Sequence, residues 1–337
     1  MNRKILLLLA VAVLAGIAWW LTRTDRGTSL DAPLSDFTIA DTARVDRIFI
    51  TDVAGRTIDL RRAEGGWTLN GIHEARNSDI NLLLTTFRRI EVKSPVSKKA
   101  QGTALRFMGA VAKRVEIYTG GDKPGKVWIV GHATKDNLGT YMVLELPDKG
   151  RSSAPFVMKM AGFTGILNTR FHTDLDQWRR PVIWDFQDPY DLARVEVDLP
   201  KGPGTSFRVE QAADRTVQLL DTKDRPMAMD TSRVKLYLRS FKDVNYEVIE
   251  RRMGKASRDS LLAAVPDHVV RTRDRGGRQK EVRFWYMPFT GEVDSTLAFR
   301  PTNDPNRMYA FVDDSLVVVI QRPMFDALLE PAEQLQP

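Results

Sequence analysis

Hydrophobic and polar positions along this chain follow three rhythms. Residues 5–21, ILLLLAVAVLAGIAWWL, show none, being apolar on every face and free of charge. Residues 45–50, 57–61 and 67–70 are short runs with a period close to two. Ala54-Gly55 and Gly65-Gly66 separate them, which predicts a three-stranded antiparallel meander. Ile80, Leu83, Leu84, Phe87 and Ile90 then recur at helical spacing behind Asn77-Ser78-Asp79, predicting a helix capped by Asn77 or Ser78. A shorter helix is expected over residues 103–112. Strands should follow at 114–118, 126–130, 140–146 and 156–160, with Asp122-Lys123-Pro124-Gly125 as a hairpin turn.

The same succession returns in the second half. Strand patterns at residues 193–199, 206–210 and 217–220 precede Asp230-Thr231-Ser232 and a helical stripe of Val234, Leu238, Phe241 and Val244. A short helix at 257–264 and strands at 268–272, 281–286, 308–312 and 316–320 complete it. Ser78 to Phe87 and Ser232 to Phe241 have the same nine-residue separation, 154 positions apart. The expected fold is therefore α+β in two similar units, each a meander, a covering helix and further antiparallel strands. The units should span residues 37–170 and 191–330. Residues 171–190, with Trp178, Arg179, Arg180, Pro181 and Trp184, read as a packed connector, and 331–337 as a loose tail.

The patternless first stretch decides where these units work. As a helix, residues 5–21 would rise about 26 Å, slightly under a hydrocarbon core of roughly 30 Å. The stems of Lys4 and Arg23 close most of the difference. Trp19 and Trp20 stand at one end, as interfacial rings do, and Arg3 and Lys4 precede the run. A transmembrane anchor over residues 1–22 is thus expected in preference to a cleaved signal peptide, whose apolar core is shorter. Cleavage would use the small pair Gly16 and Ala18. A lipoprotein anchor needs a cysteine, and the chain has none. Residues 23–36 form a polar tether. The short basic leader places the N-terminus in the cytoplasm, so the bulk is expected in the periplasm, held to the inner membrane.

The absence of cysteine also removes disulfides and thiolate chemistry. The formal charge of +7 is unevenly spread: residues 27–170 carry 21 basic and 15 acidic side chains, residues 171–337 carry 25 and 27. Outside the cytoplasm this excess points to anionic lipid, an envelope polymer or a protein partner, with no nucleic acid expected. Its densest part is the stretch holding Arg88, Arg89, Lys93, Lys98 and Lys99, read as the end of the first helix running into a loop. That stretch is the candidate interaction patch, against the plainer reading of a helix end whose arginines answer the dipole.

Catalytic and cofactor signatures are missing. His73, His132, His172 and His268 lack metal-ligand spacing. Asp185, Asp188 and Asp191 could face a calcium ion, but Pro189 stands where a calcium loop needs a glycine, so turn and capping roles are expected. There is no nucleophile elbow, phosphate loop or dinucleotide fingerprint. No catalytic residue, metal or cofactor is assigned.

Four stretches together resemble a bacterial family, domain of unknown function 4340: RIEVKSPV from Arg89, LGTYMVLE from Leu138, PFVMKMAGF from Pro155, and Trp178-Arg179-Arg180. The resemblance covers residues 1–200 best. It implies a membrane-anchored envelope protein, in a setting similar to the auxiliary parts of gliding-type ABC transport systems, and it brings no catalytic residues. The expected function is an extracytoplasmic binding or scaffolding component accessory to an envelope transport or assembly complex. The alternative is an envelope hydrolase or polymer-binding enzyme with a site between the two units.

Overall fold

The computed structural model describes residues 32–202, 204–290 and 302–337, so the expected anchor at residues 5–21 and its flanks Arg3, Lys4, Trp19, Trp20 and Arg23 lie outside them. Among the described residues no helix is long and apolar enough to cross a membrane. The fold is α+β, built on antiparallel sheets, and the chain divides into two compact units between Arg180 and Pro181.

In the first unit the strands lie in the spatial order His73–Glu74, Gly66–Leu69, Thr57–Ala63, Arg47–Asp52, Lys113–Tyr118, Lys126–Ala133, Thr140–Leu146, Phe156–Met160 and Ile90–Pro95. Period-two alternation sends Ile48, Ile50, Ile58, Leu60, Val115, Ile117, Trp128 and Val130 to one face. Helix Asn77–Arg89 covers that face with Ile80, Leu83 and Phe87. Phe87 meets Trp128 edge-on at 5.0 Å, and Phe37 and Phe171 reach the same ring at 6.0 and 6.1 Å. The opposite face carries an ion-pair ladder: Asp59 joins Arg47 and Arg61, while Arg114 joins Glu116 and Glu145. Helix Lys98–Val111 lies on this second face, where Met108 occupies the space a Cβ on Gly131 would need.

The second unit orders its strands Val217–Leu220, Phe207–Gln211, Leu192–Asp198, His268–Asp274, Gln279–Pro288, Asn303–Val312, Leu316–Gln321 and Val248–Ile249. Helix Thr231–Arg239 and the residues just after it bury Val234, Tyr237, Leu238 and Phe241 with Val195, Val197, Val270 and Phe284. Phe241 meets Trp184 at 5.3 Å. On the other face, helix Lys255–Ala263 lies by Trp285, Phe311 and Val317. Both sheets follow one plan. A three-stranded meander forms one flank, extended in the first unit by His73–Glu74, and its first strand pairs with the strand after the second helix. Consecutive strands follow, and the short strand between the two helices closes the far edge.

Several sequence expectations are corrected. The first helix is preceded by Arg76, in extended conformation and without a side-chain cap, instead of being capped by Asn77 or Ser78. The Arg76 amide is already held by the Trp178 carbonyl at 2.8 Å, which fixes the approach of the chain. In the second helix Asp230 does cap, accepting from the amides of Ser232 and Arg233. Residues 171–190 are shared, not a separate piece: Phe171 and Trp178 join the first core, Ile183 and Trp184 the second. The tail is packed, not loose. Helix Arg322–Leu329 leads into a 3-10 turn, Ala332–Leu335, whose Ala332 and Leu335 are buried in the second core.

Candidate interaction surface

The basic stretch spans three elements, where a helix end and a loop were expected. Arg88 and Arg89 close helix Asn77–Arg89, where positive charge is favoured by the free carbonyls. Ile90, which keeps the helical phase in sequence, is instead its C-cap and the first residue of strand Ile90–Pro95. That strand is the sheet's outer edge, paired only with Phe156–Met160, and a register shift leaves Lys93 without a cross-strand partner. A bulge, a lysine and Pro95 on an edge strand are the usual protection against pairing with another chain. Lys98 and Lys99 open the next helix.

These five cations are not equivalent. Lys93 is tied down, donating to the Leu138 carbonyl at 3.3 Å and lying 3.6 Å from Asp136. The Thr134 hydroxyl, foremost, and the Leu138 amide hold the Asp136 carboxyl below its ordinary range. Arg89 lies over Gly162, a residue at φ +72°, where an added Cβ would come within 2.7 Å of the guanidinium. Arg88, Lys98 and Lys99 are exposed and form no ion pair among the described residues. Gly162→Ala should therefore cost about 1–3 kcal/mol through left-handed strain and displacement of Arg89, read as a lowered denaturant midpoint. An unchanged midpoint would contradict both the strain and the displacement of Arg89.

The site also contains residues that sequence reasoning passed over. The first described segment is laced to the same helix end: the Ile39 amide donates to the Phe87 carbonyl at 2.9 Å, and the Thr38 hydroxyl to the Ile90 carbonyl at 3.1 Å. Lys126 anchors this segment through the Asp36 and Thr38 carbonyls at 2.6 and 2.7 Å. The chain arriving from residues 5–21 thus joins the fold beside Arg88 and Arg89. No local pattern signals this, because Thr38 and Ile90 are far apart in sequence.

The other candidates resolve into structural roles. His172 stacks on Trp178 at 4.6 Å, and His132 packs between Phe107 and Tyr141. Burial pushes the imidazoles of His73, His132, His172 and His268 below their ordinary value. Asp188 caps a 3-10 turn through the Tyr190 amide at 2.9 Å, and the Asp185 carboxylate accepts from Gln187. Among the described residues no group of carboxylates and histidines could hold a metal. A depression of about 390 Å³ in the second unit is lined by Arg194, Glu196, Arg271, Arg273, Lys280 and Glu281; Arg194, Glu196, Arg271 and Glu281 pair among themselves or with Asp198 and Glu210, and Lys280 pairs with Asp313. Compared with protein-family models, curated proteins and solved structures, the chain gives no match.

Proposed function

We propose that this chain is a membrane-anchored, extracytoplasmic binding or scaffolding protein, accessory to an envelope transport or assembly complex. The observation that carries this reading is the lacing of Thr38 and Ile39 to the end of helix Asn77–Arg89. An apolar run without charges precedes that segment by a short polar tether. Residues 22–37 can extend over at most about 55 Å, so an anchor at residues 5–21 would leave Arg88 and Arg89 within reach of the membrane surface. Cations held there are favoured by the anionic headgroups of the membrane.

The two units are read as copies of one ancestral unit, which the shared strand plan and the paired positions Phe87 and Phe241 support. A duplicated sheet with ion-paired outer faces suits presentation of surfaces more than enclosure of a substrate. The resemblance to the family of domain of unknown function 4340 supports the envelope setting. Three of its stretches form adjacent strands, Thr140–Leu146, Phe156–Met160 and Ile90–Pro95, at one side of the first sheet.

Amine crosslinking in intact membranes, followed by identification of what co-purifies, tests this function. A membrane-complex subunit joined to the chain is expected. Recovery of the chain alone, together with a soluble hydrolytic activity, would overturn the reading in favour of an envelope enzyme.

A further inference from the structure

Helix Lys98–Val111 buries little of its surface. Only Ala104 and Met108 are buried among its residues, while Leu105, Phe107 and Val111 remain 44, 58 and 51% exposed. Its sequence, KKAQGTALRFMGAV, contains Lys98, Lys99 and Arg106 and no acidic residue. None of the three cations forms an ion pair among the described residues. Lys98 and Lys99 stand in the first turn, where the helix dipole disfavours positive charge, and Ser97 supplies no side-chain cap. Local stability has not been optimised here.

The helix at the same place in the second unit's strand plan provides an internal comparison. In helix Lys255–Ala263, Lys255 pairs with Asp259 and Arg258 donates to the Ser315 carbonyl. Its Leu261 and Leu262 pack against a cluster of Trp285, Phe311 and Val317. Of these two corresponding helices, the first-unit one is left with unpaired cations beside exposed large apolar side chains, and its unit adjoins the tether. The charge excess of the chain also lies in that half, with 21 basic against 15 acidic residues over 27–170.

We infer that helix Lys98–Val111 is a second membrane contact, lying at the anionic headgroup surface. Lys98, Lys99 and Arg106 would meet phosphate groups, and Phe107 and Val111, neighbours one turn apart on one flank of the helix, would enter the adjoining apolar boundary. Unpaired cations together with apolar side chains are the composition that binds such an interface. The helix itself carries no carboxylate. The inference rests on the anchored reading, since residues 5–21 bring the first unit to the bilayer. The helix then limits how that unit can rotate on its tether.

The lack of native cysteine allows single labels. Full-length protein carrying a nitroxide at Phe107→Cys or Val111→Cys is reconstituted into phosphatidylcholine vesicles with and without phosphatidylglycerol. Accessibility to a water-soluble relaxation agent is measured, with Leu236→Cys, a 65% exposed site in the second unit, as control. Several-fold protection at 107 and 111 in the anionic vesicles only is expected, lost in high salt and in the Lys98→Glu, Lys99→Glu, Arg106→Glu variant. Leu236→Cys should not change. Equal accessibility in both vesicles, with the protein still floating with the lipid, would overturn this inference and leave the anchor intact. Equal protection in both, or protection in native membranes alone, would assign the face to apolar self-association or to a protein partner and overturn it too. Failure to float with either vesicle would sink the anchored reading itself.

Discussion

Phe87→Ala is expected to destabilise the first unit by about 3–5 kcal/mol, and Phe241→Ala to do the same to the second. Both rings are completely buried beneath their sheets, Phe87 as the last large apolar residue of helix Asn77–Arg89 and Phe241 just past the end of helix Thr231–Arg239. Phe87 loses its edge-on contact with Trp128, and Phe241 loses contacts with Trp184 and with Tyr237 at 5.5 Å. Neither site can collapse easily, because the flanking strands are fixed by continuous ladders on both sides. Hydrogen exchange resolved along the chain checks the magnitude and the location. Protection should fall over residues 37–180 for Phe87→Ala and over 181–337 for Phe241→Ala. A loss under about 1 kcal/mol would mean that the cores repack, contrary to the packing described.

Asp52→Ala should rank next. The carboxylate, only 6% exposed, accepts from the Ala54 and Arg56 amides at 3.0 Å, from Arg56 Nε at 2.7 Å and from the Thr173 hydroxyl at 2.6 Å. It closes the first hairpin and fastens the segment carrying Phe171 and Trp178 to the sheet. The exposed Arg56 contributes little of this, as surface ion pairs do. Loss of the remaining bonds to a charged acceptor should cost about 1.5–3 kcal/mol. The Thr173 hydroxyl, foremost, with help from Arg56, holds the carboxyl down to about 2. A group depressed in the folded state stabilises above its unfolded value of about 3.9 and loses that contribution as pH falls towards 2. Denaturant midpoints of the native chain and of Asp52→Ala should therefore converge over that interval. A constant difference down to the bottom of the range would refute the assigned cause.

How far this structure was legible in the sequence depends on which interaction decides each element. Strands such as Arg47–Asp52 and Phe207–Gln211 fall close to where alternation places them, because buried and partly exposed positions alternate along each. Strand Ile90–Pro95 was hidden, since Ile90 continues a helical stripe and an edge strand with a bulge has little alternation to show. The tail looked polar, yet Ala332 and Leu335 find a hydrophobic seat that only the folded second unit provides. A readable signal was missed in the turns. Asp52/Arg56, Asp221/Arg225 and Asp274/Arg278 repeat one device, an aspartate receiving the side chain of an arginine four residues later at 2.7 Å. The candidate surface was half legible. Its basic residues stand out in sequence, but whether each is tied down, as Lys93 is, or left open, as Arg88 is, depends on the Leu138 loop and other distant segments.

The central claim is that residues 5–21 hold both units outside the inner membrane, with Arg88 and Arg89 within reach of its surface. Protease treatment of cells with a permeable outer membrane and an intact inner membrane tests it most directly. The account predicts digestion of residues 37–337 under those conditions, with a short fragment containing residues 5–21 kept in the membrane. Survival of both units until the inner membrane is ruptured, or their release from the membrane undigested, would contradict it.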